Sequence, residues 1–487
     1  MEKQHIHLLG IGGTGMGALA TLLVEDGHTV TGTDEALYPP MSDQLASLGI
    51  TVNVGYTPQN LTKRPDLVII GNVITKENPE AQATLEQKIP YQSMPQAVAT
   101  FFLKDRTPLV ITGTHGKTTT ATLTAWLLTA TGKEPGYFIG GVGKNFGKNA
   151  ARGKPPFFVV EGDEYDTAFF DKGPKFMHYQ ARGAIMTSIE FDHADIYRDI
   201  THITEAFRRF MESLSKNDVL VANADDPIIA KMIPQATCRV VTYGMKSKAT
   251  YAARNVKVTP EGTSFEFQTP HGTTTVTTPL FGDHNVMNTM AAMALLMEHG
   301  LSLAALKEAL PKFEGVKRRM DIIGEGQGKG IVIIDDFAHH PTAVKTTIAA
   351  LRGRYPGRRL WAIFEPRSNT SRRRHFQREY VDALMSADRV VIAGVFKSEK
   401  IDPNERLNPQ AIADDLMNNG VDAHTIAGTE FILEYIVRNI DSKDVVLFMS
   451  NGGFDGIHHK LLDKIDRRKL YTDHSALKMG RIPKLQG

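Results

Sequence analysis

The sequence predicts an α/β protein of three domains. The outer two are Rossmann-like. The central one is a doubly wound domain of the phosphate-loop (P-loop) ATPase type with a small antiparallel β attachment. Three observations predict this. The apolar run His5-Ile6-His7-Leu8-Leu9 leads straight into a G-x-G-x-x-G turn at Gly10, Gly12 and Gly15. A second run, residues 108–112, leads into Gly113-Thr114-His115-Gly116-Lys117-Thr118-Thr119-Thr120. From about residue 317 onward, apolar runs again alternate with helical patterns. The 487 residues suit three domains, at roughly 150 residues each. The expected bounds are 1–106, 107–316 and 317–487.

In chain order, residues 5–9 read as a strand, Met16 to Val24 as a helix, and Thr29 to Thr33 as a second strand ending at Asp34. Spaced glycines with an acid about 20 positions on make the dinucleotide fingerprint. Physically, a pyrophosphate sits on the helix end and Asp34 accepts a bond from a ribose or a base. A UDP-sugar offers the same pyrophosphate as NAD, although the motif alone favours NAD. Asp66 to Ile70 reads as another strand, with Gly71-Asn72-Val73 as the loop at its end. A boundary falls near Thr107, where a new strand-loop-helix unit begins.

Pro108 to Thr112 reads as a buried parallel strand and Ala121 to Leu128 as a helix. Between them the glycines let backbone N–H groups close round an anion at a helix N-terminus. Lys117 can reach outer phosphates, and the Thr118 hydroxyl can ligate magnesium. The common phosphate loop carries a glycine where Ile111 stands, so this loop is shorter. Phe157 to Val160 is a strand ending in Glu161-Gly-Asp-Glu-Tyr-Asp; Ala184 to Ile189 ends in Glu190-Phe-Asp-His193; Val219 to Ala222 ends in Asn223-Ala-Asp-Asp226. Acids and a histidine therefore gather at carboxyl ends of strands, where open α/β sheets place ligands. Glu161, the acid at the end of the next strand by sequence, can complete a magnesium site, with Glu164 in reserve, and His193 can hold a second metal. Glu161 also fits, less well, an acid satisfying backbone N–H groups, and His193 fits a surface loop imidazole as well as it fits a metal ligand.

Residues 249–281 are rich in threonine and valine, with Pro-Glu-Gly and Pro-His-Gly turns, and predict the antiparallel attachment. Gly282-Asp-His-Asn285-Val-Met-Asn288 then opens a helix running to about Glu298. Asn285 and Asn288 share one helical face and can donate to and accept from an adenine edge, while Asn285 alone also fits a helix cap. In the last segment Ile331 to Ile334, Leu360 to Phe364, Arg389 to Ala393 and Val445 to Phe448 read as strands, with a helix from His375 to Ser386. Arg318-Arg319 can hold a phosphoryl group, though paired arginines are otherwise a solvated surface feature. Asp335-Asp336-Phe-Ala-His-His-Pro follows a strand. The tail after about 468 is polar and expected to be loose.

Lys and Arg number 56 against 54 Asp and Glu, a net charge of +2. That balance gives no reason to expect a nucleic-acid partner or an anionic membrane surface. Cys238 is the one cysteine, which excludes intrachain disulfides and fits a reducing compartment. Neither a signal peptide nor a bilayer-length apolar run is visible, and a cytoplasmic protein is expected.

Gly-Thr-His-Gly-Lys-Thr-Thr, Gly282-x-His-Asn-x-x-Asn, Gly315-x-x-Arg-Arg and Asp-Asp-Phe-Ala-His-His-Pro, in this order over nearly the whole chain, resemble the Mur ligases of peptidoglycan synthesis. The resemblance implies an ATP-dependent, ADP-forming amide ligase that activates a carboxylate as an acyl phosphate, with magnesium, two ions by expectation. It turns the amino-terminal glycine loop from NAD toward UDP-N-acetylmuramate, held by Gly12, Gly13, Thr14, Gly15, Met16, Asp34 and Asn72. It implies that Gly113, Thr114, His115, Gly116, Lys117, Thr118 and Thr119 bind ATP, with Asn285 and Asn288 on adenine, Asp336 on ribose and Arg319 on the γ-phosphate. Lys117, His193 and Arg319 are the catalytic expectations; Thr118, Glu161 and His193 the metal ligands; Arg367, Ser368 and Asn369 the contacts to peptide carboxylates.

Two members of the family are candidates, one adding L-alanine and one adding the recycled tripeptide L-alanyl-γ-D-glutamyl-meso-diaminopimelate. The first usually shows Ala-Asp-Glu-Ser-Asp after the metal-binding glutamate. Here Gly-Asp-Glu-Tyr-Asp-Thr-Ala-Phe-Phe-Asp-Lys follows Glu161, which with Phe364-Glu-Pro-Arg-Ser-Asn-Thr and Ser450-Asn-Gly-Gly-Phe-Asp-Gly-Ile-His resembles the second. Several members carry a carbamylated lysine near the metals. No lysine lies between Phe176 and Ser215, so an unmodified site is expected. The partners are then small molecules, with neither nucleic acid nor membrane, and the chain a monomer or weak homodimer. An NAD oxidoreductase, a nucleotide-switch protein and a folate polyglutamate ligase are the readings from other classes. The glycine-rich amino-terminal domain argues against the last.

Overall fold

The structure, a computed structural model, describes residues 2–38, 41–326 and 330–466. The polar tail lies outside the described residues. The chain divides into two compact units, Met1–Lys317 and Arg318–Gly487, and both are α/β.

In the first unit β1 (His5–Leu9), β2 (Thr29–Asp34), β3 (Thr51–Val54), β4 (Leu67–Ile70) and β5 (Tyr91–Ser93) form a parallel sheet in the order β3-β2-β1-β4-β5. The order turns back at β1, which puts the glycine turn after Leu9 at the switch point where open sheets bind ligands. The helix Thr14–Glu25 follows that turn and buries Leu19, Leu22 and Leu23 on the sheet.

A ten-stranded sheet makes up the rest of this unit. Its strands are β6 (Thr107–Thr112), β7 (Gly136–Phe138), β8 (Ala150–Ala151) and β9 (Phe157–Gly162), then β12 (Gly183–Met186), β13 (Val219–Asn223) and β14 (Arg239–Gly244), and last β15 (Tyr251–Thr259), β16 (Gly262–Thr269) and β17 (Gly272–Thr278). A separate hairpin pairs β10 (Asp166–Ala168) with β11 (Asp171–Pro174). The sheet order is β17-β16-β15-β14-β13-β12-β6-β9-β7-β8. β6 lies between β12 and β9, parallel to both, so its carboxyl end is flanked by two other strand ends. The antiparallel β15, β16 and β17 are the expected attachment, joined through the parallel pair β14–β15. Leu8, Leu19 and Phe102 share one apolar cluster with Phe158, Phe176 and Met186, so the two sheets of this unit pack through a common core. Cys238 is buried at the edge of that core.

The second unit holds a six-stranded sheet of β18 (Asp321–Gly326), β19 (Ile331–Asp336), β20 (Leu360–Phe364), β21 (Arg389–Ala393), β22 (Asp422–Ile426) and β23 (Val445–Met449), in the order β18-β19-β23-β20-β21-β22. Only β18 runs antiparallel. Among the described residues no helix is long and apolar enough to cross a membrane.

Four local expectations need correction. The strand expected over Ala184 to Ile189 stops at Met186, because Thr187 turns over the loop after β6 and its hydroxyl donates to the His115 carbonyl. Glu161 is not on the next strand by sequence: β7 and β8 intervene, and β9 is instead the next strand in space. Asp335 and Asp336 belong to β19 rather than following it, paired in register with Phe448 and Met449. The helix expected from His375 to Ser386 is a 3-10 turn, Arg374–Phe376, then a helix Gln377–Leu384; the Arg374 N–H bonds the Glu405 carbonyl and tightens that first turn.

Candidate active site

The loop after β6 is built by its two glycines. Gly113 has φ +126° and Gly116 φ +81°, values other residues rarely adopt. A side chain on Gly113 would collide with Thr187 Oγ1 and the backbone of Ser188, and one on Gly116 would sit 2.5 Å from Asn288 Oδ1. The helix Lys117–Ala130 then starts at the loop with its N-terminus toward it. The loop is tied to the turn after β12: Thr114 N bonds Ser188 O, Glu190 N bonds Thr114 Oγ1 at 2.9 Å, and His115 Nε2 lies 3.3 Å from Glu190.

Lys117 folds back over this loop. Its ammonium donates to Gly113 O at 2.7 Å and to Glu164 Oε2 at 2.8 Å. Burial pulls its pKa down, but Glu164, Asp163 and Glu161 outweigh burial and hold it above the ordinary value. Glu164 is buried and opposed by that cost, yet Lys117 and His193 bring it below the usual carboxylate range. His193 stands with φ +53° and Nε2 3.5 Å from Glu164 Oε1. Burial works against its charge, and Glu164 outweighs it to raise its pKa. Glu164, expected only as a reserve metal ligand, is thus the group that joins the lysine to the histidine.

Glu161 accepts from the Thr118 hydroxyl at 2.8 Å and from the Gly140 N–H at 2.7 Å. Burial, then Asp163, push its carboxyl above its ordinary value. A buried carboxylate beside a hydroxyl is a hard-oxygen set, and it fits magnesium. His193 adds a nitrogen donor already held by Glu164.

Asn285 and Asn288 are buried in the helix Asp283–Glu298. Asn288 Nδ2 donates to Asn285 Oδ1 at 3.1 Å, and Asn285 donates to Phe281 O. The helix opens after Gly282, so neither asparagine is its cap.

The amino-terminal glycine loop lines a cavity of about 490 Å³. Gly12, Gly13, Thr14, Gly15, Met16, Asp34 and Asn72 line it together with Gly140, Glu161, Asp163, Tyr165 and Lys175. Asp34 accepts from the Gly12 N–H at 2.8 Å and so shapes the loop.

Arg319, Asp336, Arg367, Ser368 and Asn369 belong to the second unit. Arg319 lies over the Phe337 ring at 4.7 Å. Asp336 takes backbone N–H groups of Met320 and Ala338 at 2.6 and 2.7 Å, and burial, opposed by Arg319, raises its pKa. Arg318 instead serves the fold, reaching Asp335 and the carbonyls of Ser450 and Gly452. Arg367 stacks on Phe396 at 3.9 Å, Ser368 bonds Ser371, and Asn369 accepts from Arg372.

Sequence reasoning missed Lys175, Tyr165 and Tyr179, which share the cavity wall with Glu161. The acidic run after Glu161 was the one signal toward them.

Three family models match in chain order: "Mur ligase family, catalytic domain" over residues 5–106, "Mur ligase middle domain" over 111–296 and "Mur ligase, glutamate ligase domain" over 318–452. The chain is 39% identical over 467 residues to the UDP-N-acetylmuramate–L-alanyl-γ-D-glutamyl-meso-2,6-diaminoheptandioate ligase of Escherichia coli K12, covering 96% of this chain and 99% of that protein. It is 32% identical over 456 residues to the UDP-N-acetylmuramate–L-alanine ligase of Alkaliphilus metalliredigens, covering 93% and 95%. The crystal structure of a murein peptide ligase from Psychrobacter arcticus superposes with a TM-score of 0.71 at 32% identity, over 95% of this chain and 99% of that one. With the phosphate loop, the buried acids and the glycine cavity in place along its length, this chain belongs to the Mur ligase family.

Proposed function

We propose that this ligase joins the tripeptide L-alanyl-γ-D-glutamyl-meso-diaminopimelate to UDP-N-acetylmuramate at the expense of ATP, in peptidoglycan recycling. The observation that carries it is the single cavity running from the amino-terminal glycine loop to Glu161, beside the Lys117 loop. Both the loop assigned to the pyrophosphate and the glutamate assigned to magnesium line that one cavity, which supports the reading. The 39% identity to a tripeptide-adding relative favours the tripeptide over L-alanine.

In this reading the bounds 1–106, 107–316 and 317–487 separate the sugar-nucleotide, ATP and peptide domains. Gly12 to Met16, Asp34 and Asn72 bind the UDP moiety. The muramate carboxylate attacks the γ-phosphorus of ATP, and ADP leaves. The peptide amine then adds to the acyl phosphate, loses a proton, and expels inorganic phosphate as the amide forms. A carboxylate is a poor electrophile, so catalysis lies in positioning and charge neutralisation. Residues Gly113 to Thr119 cradle the phosphates, and Lys117 exchanges its backbone carbonyls for γ-phosphate oxygens while Glu164 keeps it charged. Asn285 and Asn288 serve adenine, Asp336 ribose and Arg319 the γ-phosphate. Arg367, Ser368 and Asn369 serve peptide carboxylates. Magnesium, for which Thr118, Glu161 and His193 are the ligands and two ions the expected number, supplies charge neutralisation when bound.

The test offers UDP-N-acetylmuramate and ATP with either L-alanine or the tripeptide, and reads ADP release and product mass. The tripeptide should be preferred, and Lys117→Ala should lose at least about a hundredfold of that rate with its fold intact. A preference for L-alanine would overturn the substrate assignment.

A further inference from the structure

We propose that Tyr179 and Lys175 form a subsite for the sugar portion of the sugar-nucleotide, donating to its acetamido or hydroxyl oxygens; this rests on the substrate reading above. Tyr179 is 1% exposed and packs in the core. Its hydroxyl is buried and has no hydrogen-bond partner among the described residues. A buried hydroxyl left unpaired destabilises a folded protein, so its retention calls for a partner that comes with a ligand.

Tyr179 borders two cavities. The groups that act electrostatically on its hydroxyl are Lys175, Asp163, Tyr165 and Glu161. All four line the cavity that also holds the amino-terminal glycine loop. None of these four lines the groove beside Lys104 and Arg182, so the guest for the hydroxyl is sought in the glycine-loop cavity.

Lys175 supports the same reading. Its side chain is 8% exposed, yet its ammonium has one hydrogen-bond acceptor among the described residues, Asp163 Oδ2 at 3.0 Å. Its charge lies 3.8 Å over the Tyr165 ring, an attraction that fixes the ammonium without using a hydrogen bond to an oxygen. An ammonium carries three donors, so N–H groups are left for a guest. The Tyr165 ring in turn stands beside the His193 ring, 5.2 Å between centroids. The cluster is thus fixed on its acidic side and keeps unused donors. In the substrate reading above, the pyrophosphate goes to the helix N-terminus at Thr14 and the muramate carboxylate to Glu161. Lys175 and Tyr179 fall to the sugar.

Calorimetric titration of the full-length enzyme with UDP-N-acetylmuramate and, separately, UDP tests this. Tyr179→Phe should melt at or above the wild-type temperature, since it removes an unpaired polar atom. It should weaken UDP-N-acetylmuramate about fivefold to thirtyfold, the loss expected for one buried hydrogen bond, and leave UDP and the KM for ATP unchanged. Lys175→Met should act in the same direction; because it also strips Asp163 of its ion-pair partner, Tyr179→Phe decides if that variant folds poorly. Unchanged affinity for both ligands, or an equal loss for both, would refute the subsite. A wild-type enzyme that binds neither ligand would instead refute the substrate reading.

Discussion

His284 stands one position before the asparagine pair, and its imidazole is pulled down to about 4 by burial, with His115 adding to the effect. A histidine held neutral in the folded protein but free to charge in the unfolded chain takes stability away as pH falls from its ordinary value toward the lowered one. The loss is absent at pH 7 and grows between pH 6.5 and 4. Because part of the residue reaches solvent, about 1 kcal/mol between pH 7 and 5 is the expected size. Urea unfolding at the two pH values should show a smaller drop in His284→Gln than in the wild type, and equal drops would remove the explanation. At this scale the sequence was most legible where one residue type has one chemistry. Lys117 and Thr118 open the helix where their order along the chain puts them, whereas Glu161 meets the Thr118 hydroxyl through a neighbour in space, with β7 and β8 intervening in the chain. The Lys117–Glu164 pair was not legible, because it joins loops 47 positions apart that only the neighbouring strands β6 and β9 bring together. Nor was the place in the cavity lining of Lys175, a lysine in a run that looks like any polar turn.

Among the elements, the turn after β12 is the one whose placement matters most to the site, and a short helix anchors it. Asp226 caps the helix Pro227–Met232 by accepting from Ile228 and Ile229, and its other oxygen takes the Ile189 N–H at 2.9 Å. One carboxylate therefore fixes both a helix start and the chain that carries Glu190 and His193. Asp226→Ala should cost about 1–2 kcal/mol, at the upper end for a lost cap, and should speed amide exchange over residues 189–193, measurable by hydrogen-exchange mass spectrometry. Unchanged exchange there would sever the link. Long apolar strands such as β6, β20 and β23 were legible because both faces are covered and the run is continuous. β7 and β8, three and two residues long, are too short for any period to register. The end of β12 was misjudged because Ile189 is apolar and buried although it has already left the ladder.

For the molecule as a whole, the first unit contains both the glycine-loop cavity and the phosphate loop. Saturating UDP-N-acetylmuramate at a hundred times its Kd should stabilise that unit by about 2.7 kcal/mol. Slowed exchange should centre on residues 10–16 and 175–179, and its absence from both segments would count against the cavity as the binding site. The α/β class and the antiparallel attachment were plain from the order of apolar runs, but the shared core of the two sheets in this unit was not, since no local pattern announces which helix faces a distant strand. Cys238 offers a practical gain. The chain has no other thiol, and this one is 8% exposed with burial raising its pKa, so it reacts sluggishly with alkylating dyes. Cysteines introduced at outward positions such as Val258 or Phe431 would take up fluorophores or spin labels selectively, giving a native background on which turnover can be watched one molecule at a time.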